Sequence, residues 1–172
     1  MRTRLWILVL SGMGVGSPAW ADDSVARAHQ AVLDRAVILA GLQFTRPPLV
    51  LTSTLPWTAS AGAEAWTTCD ADDHGDRIFV YTRSALFQCA NQGDWQCMLK
   101  LASVLVHEAW HFRNGRDEAG AYTAQITFLM HQGSDATAAG VRRARDRVLA
   151  VRGSPVEAVA IKLRERQTSP LP

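Results

Sequence analysis

Fourteen consecutive residues constrain this chain more than any others: Leu99-Lys100-Leu101-Ala102-Ser103-Val104-Leu105-Val106-His107-Glu108-Ala109-Trp110-His111-Phe112. Leu99, Leu101, Ala102, Val104, Leu105, Val106, Ala109, Trp110 and Phe112 leave no continuous solvated face, so the segment reads as a helix buried in a core. Its polar positions are not scattered. Lys100, Ser103, His107 and His111 recur three or four residues apart and share one stripe, with Glu108 beside it. Burying unpaired polar groups costs a few kcal/mol each, so two imidazoles and a carboxylate on a core helix need compensation. A bound cation supplies it.

The spacing is His-Glu-x-x-His. Helix positions i and i+4 lie about 6 Å apart along the axis at nearly the same azimuth. His107 and His111 can therefore turn toward one ion at roughly 2 Å. Glu108, about 100° further round, falls beside the ion, where a carboxylate can take a proton from water and pass it to a leaving group. In this motif the chain resembles the zincin metallopeptidases. The resemblance implies zinc as the cofactor, His107 and His111 as ligands and Glu108 as the catalytic acid–base.

A catalytic zinc site takes three protein ligands and keeps one position for water. The third candidate is Glu118. Were the helix unbroken, Glu118 would stand about 10 Å above His111, so the chain must fold back, and Asn114-Gly115 is where it can. Asp117 is the first substitute and His131 a distant one. Tyr122, four residues after Glu118, shares its face and could donate a hydrogen bond to a developing oxyanion. Gln125 lies on the same stripe as a supporting residue, and Lys100 and Ser103 mark the wall of a cleft.

The surrounding pattern narrows the resemblance. Asn114 and Asp117 stand where metzincins carry Gly and His, which excludes that clan, and thermolysin-like gluzincins carry their glutamate much further along the chain. The short gap to Asp117-Glu118, followed by Ala121-Tyr122, is similar to small exported bacterial zincin-like proteins, over roughly residues 95–130; Arg113 departs from the apolar residue of the longer zincin pattern. The resemblance implies an α+β fold, with a small antiparallel sheet beside the His-Glu-x-x-His helix and further helices completing the domain. It also implies a sheet edge that takes substrate as an added strand, and zinc-dependent hydrolysis of amide bonds in a peptide or protein substrate of the cell envelope. The alternative is a zinc-binding or interaction module without turnover.

Export is read independently of the motif. Arg2 and Arg4 precede an apolar run from Leu5 to Gly16, and Ala19-Trp20-Ala21 has the small residues of a cleavage site, so residues 1–21 read as a signal peptide and the product as periplasmic or secreted. The apolar run is too short to span a bilayer, and stable membrane insertion after cleavage is not expected. Of 18 basic residues two leave with the signal, leaving 16 against 16 acidic ones; a neutral chain gives no reason to expect nucleic acid as a partner. Three cysteines, Cys69, Cys89 and Cys97, read as disulfide material in an exported chain. Cys89 with Cys97 would close a short loop, Cys69 with either is equally allowed, and a thiolate zinc site is the rival.

The remaining elements follow from caps and periodicity. Helices are predicted from about 24 to 40, from Asp94 to Asn114, from Asp117 to about Met130, and from Ser134 or Asp135 to Gly153. Ser154-Pro155-Val156-Glu157 starts a last helix, and the tail from Thr168 frays; the domain is bounded as 22–167. Strands are predicted at 49–52, 65–69 and 77–82, the last two joined as a hairpin through the turn 70–76. That turn puts Asp70, Asp72 and Gly75 at calcium-loop positions, but His74 and Tyr81 occupy positions where ligands are needed, so it reads as a solvated turn.

Overall fold

Why the buried helix sits at the centre is clear from its neighbours. A computed structural model describes residues 19–42, 47–56, 62–70 and 75–152. Among them are a long first helix α1 (Ala19–Leu39), strands β1 (Leu49–Thr52), β2 (Ala65–Cys69) and β3 (Gly75–Tyr81), and helices α2 (Ala85–Asn91), α3 (Trp95–Asn114), α4 (Glu118–His131) and α5 (Asp135–Arg152). Helix α3 packs against α1, α2, α4, β2 and β3. Leu101, Ala102 and Leu105 are fully buried, with Ala109 nearly so. No helix among the described residues is long and apolar enough to cross a membrane.

The architecture is mixed α+β, with one correction to the expected antiparallel sheet. The strand order is β1-β3-β2; β2 pairs with β3 antiparallel as a hairpin, but β1 pairs with β3 parallel. The hairpin forms between neighbours in sequence. Strand β1 runs in the same direction as β3, so when it docks on the free side of the hairpin the pairing is parallel. Alternation then sorts the residues: Ile78 and Val80 are fully buried on the helix side, while Trp66 and Phe79 pair across strands on the other face, their rings stacked at 5.3 Å. Thr67 shares the inner face with Ala65, opposite α3.

Caps place the helix ends where the sequence marks them. The Asp94 side chain accepts from the Cys97 N–H at 2.8 Å, and Asp117 caps α4 by accepting from the Gly120 N–H at 3.1 Å. Helix α2 was not predicted; Ser84 caps it by accepting from the Phe87 N–H, and Phe87 is fully buried. A disulfide joins Cys89 at the end of α2 to Cys97 in the first turn of α3. It settles the pairing, leaves Cys69 outside any disulfide and removes the thiolates a rival zinc site would need. Helix α1 begins at Ala19, before the predicted start and inside the predicted signal segment. The remainder of that segment, His74 in the 70–76 turn, Gly153, the last predicted helix and the tail lie outside the described residues.

Candidate metal centre

The site is built where α3 stops. The Gly115 N–H donates to the His111 carbonyl at 3.0 Å, closing the last turn, and Gly115 takes φ 71° and ψ −150°, a conformation open in practice to glycine alone. The chain reverses over Gly115–Asp117 and α4 begins at Glu118. Gly120 lets α4 come close: a Cβ there would stand 2.6 Å from Trp110 Cε2 and nearer still to the Asp117 carboxylate. The reversal and the close approach bring the first residue of α4 back over the imidazoles of α3.

His107, His111 and Glu118 converge. The two Nε2 atoms are 3.2 Å apart, Glu118 Oε2 is 3.5 Å from His107 Nε2, and Glu118 Oε1 is 3.7 Å from His111 Nε2. Donor atoms around a tetrahedral ion with bonds of roughly 2.0–2.1 Å are about 3.3 Å apart, so the triangle has the dimensions of three corners of such a site. The imidazole orientation fits as well. His111 Nδ1 lies 2.8 Å from the Gly115 carbonyl, which can only accept, so the neutral ring carries its proton there and turns the Nε2 lone pair toward His107. His107 Nδ1 is buried with no hydrogen-bond partner among the described residues. The His111 Nε2 lone pair can therefore accept from a His107 Nε2–H across the 3.2 Å gap, or both ring nitrogens can turn lone pairs to a shared cation.

The contacts within the cluster also shift its titrating groups. Hydrogen bonding to His107 and then His111 holds the Glu118 carboxyl well below the usual carboxylate range, against the effect of burial. Burial pulls His111 down, but its contacts with Glu118 and the Gly115 carbonyl, and the charges of Glu108 and Glu118, outweigh that and raise it above its ordinary value.

Glu108 is buried beside this triangle, and burial pushes its carboxyl up, against the His107 charge, the Thr67 hydroxyl and His111. Thr67 Oγ1 lies 2.8 Å from Glu108 Oε2 and 3.0 Å from the Glu108 carbonyl. One hydroxyl of β2 thus fixes the rotamer of the carboxylate. Sequence reading missed Thr67; inward alternation in β2 was the available signal, but nothing in the chain order tells which helix residue it meets. Tyr122 stacks edge-on against the His107 ring at 4.7 Å.

The other candidates go elsewhere. Asp117 is exposed and spends its carboxylate on the α4 cap, and His131 is exposed at the far end of α4. Gln125 donates to Ser103 Oγ at 3.1 Å, and Ser103 donates to the Lys100 carbonyl at 2.7 Å, so these two buried groups satisfy each other. His107, Glu108 and Tyr122 face a cleft of about 370 Å³, which Lys100, Glu64, Val104 and Gln125 also line, with Val141 and Ala144 of α5 on the far wall. In comparisons with known proteins, no family model, curated protein or solved structure matches the chain.

Proposed function

We propose that this chain is an exported zinc-dependent hydrolase, a metallopeptidase of zincin type acting on peptide or protein amide bonds in the cell envelope. The observation that carries the reading is the triangle of His107, His111 and Glu118 with Glu108 beside it at the edge of a cleft. Two imidazoles and one carboxylate form a donor set suited to a zinc ion with an open position. Zinc held there supplies Lewis acidity, polarising a carbonyl and making water acidic near neutral pH.

The rest belongs to the chain's own side chains. Glu108, oriented by Thr67 and raised by burial, takes the proton of the attacking water on its carboxylate and passes it to the departing amide nitrogen. Tyr122, whose ring lies on the cleft wall against His107, would donate from its hydroxyl to the carbonyl oxygen as charge develops. Strand β2 is an edge of the sheet, so its outward backbone groups can pair with an extended substrate.

Glu108→Gln is the test. Untagged protein should purify with or take up one equivalent of zinc, and the variant should keep that zinc while hydrolysis of a peptide pool falls by roughly 100-fold or more. Full hydrolysis by the variant would overturn the proposed chemistry. Zinc retained with no cleavage by either protein would leave the binding-module alternative.

A further inference from the structure

Beyond the donor triangle, the cleft contains a charge pair that the proposed hydrolysis does not use. Lys100 Nζ lies 3.4 Å from Glu64 Oε1. Ion-paired N–H to carboxylate contacts usually close to about 2.7–2.9 Å, so this pair is loose. The partners are unequally exposed, 44% for the lysine side chain against 25% for the glutamate, and the lysine ammonium has three donors of which Glu64 engages one at most. Both residues line the same cleft as His107 and Glu108. Apart from this pair and Glu108, the described lining residues include no Lys, Arg, Asp or Glu.

Position along α3 gives the pair a meaning. Lys100, Val104, His107 and Glu108 lie on one face of the helix, and Lys100 precedes His107 by two helical turns. The rise is about 10 Å, which about three extended residues span. The His107 end of the cleft, beside Glu108, is where the proposed hydrolysis takes place. At the other end Lys100, the more exposed partner of the pair with Glu64, keeps ammonium donors that Glu64 does not use.

We infer that the site takes peptides by their free C-terminal carboxylate, with Lys100 as the group that holds it, and removes a fragment of about two or three residues. This rests on the hydrolase reading above. Water adds its hydroxyl to the scissile carbonyl carbon and its proton goes to the nitrogen as the C–N bond breaks, so no further reactant is required. Lys100 is a specificity-determining residue, and Glu64 keeps its ammonium over the cleft.

Retention without turnover tests this. Zinc-loaded Glu108→Gln protein is mixed with N-acetylated tetrapeptides of Ala, Leu, Phe and Ser, prepared as free acids and as C-terminal amides, and the retained peptides are counted by mass spectrometry. Free acids should be retained at least tenfold over amides. Adding Lys100→Met, which keeps the apolar stem, should abolish the preference without changing zinc content, and Lys100→Arg should preserve it. Equal retention of acids and amides, or a preference that survives Lys100→Met, would overturn the inference and leave the peptidase reading standing. Retention of neither set would overturn both.

Discussion

The two ends of α3 each gather three side chains of the metal-binding kind, and they settle the same problem differently. At the start, Cys89, Asp94 and Cys97 come together; at the end, His107, His111 and Glu118 do. The first group is closed: the thiols are joined to each other and the carboxylate caps the helix. In the second, two ring nitrogens and a carboxylate approach one another at 3.2–3.7 Å and no covalent bond joins them. The covalent staple holds α2 on α3 whatever the solution contains. The cluster at the other end adds the contacts of Glu118 with His107 and His111 to the apolar packing of α4 on α3.

That contrast can be broken most directly at His111. His111→Ala should lower zinc affinity by more than roughly 100-fold, measured by competition with a chromophoric chelator, and should cancel the rise in melting temperature that zinc gives the parent protein. Gly115→Ala comes next. It forces a Cβ into a glycine conformation at a cost of about 1–3 kcal/mol and displaces the carbonyl that orients His111, so zinc affinity should fall about 10–100-fold alongside stability.

The disulfide end should behave in the opposite sense. Cys89→Ser combined with Cys97→Ser releases a short loop and should cost about 2–3 kcal/mol in denaturant unfolding, with zinc affinity unchanged. A large change in zinc affinity would mean that the two ends of α3 are coupled.

The smallest effect is on pH. In metal-free protein the lowered pKa of Glu118 contributes stability present above its ordinary 4.5 and lost as pH falls through the native value. The raised pKa of His111 contributes stability present below its ordinary 6.5 and lost as pH rises through its native value. Both act together between 4.5 and 6.5. The stability difference between the parent and Glu118→Gln in denaturant unfolding should therefore be largest in that window, within about 1 kcal/mol because the groups are partly solvated, and shrink on either side. With zinc bound the alkaline decline should vanish, since the imidazoles must be neutral to ligate.

Much of this site was legible in the chain because its parts are local. The spacing of His107 and His111 fixes their common face, Gly115 marks the stop, and Asp117 marks the restart, each by geometry that depends only on neighbouring residues. Strands β2 and β3 were legible for the same reason, as alternating runs around a turn. Helix α2 was not, because seven residues carry too little periodicity; its buried Phe87 and its disulfide to α3 secure it from outside.

What the sequence determined by itself was which groups could share one helix face and where that helix had to end. What only the tertiary structure decided was how far the chain turned back: that Glu118 lies over the imidazoles rather than beside them, that Thr67 holds Glu108, and that β1 runs parallel to β3. Helical spacing follows from backbone hydrogen bonds within a few residues, and any reader of the chain can compute it. The angle between two helices, and the strand that lies against them, follows from close packing of side chains such as Trp110 against Gly120, which are ten positions apart and meet only once the core has formed.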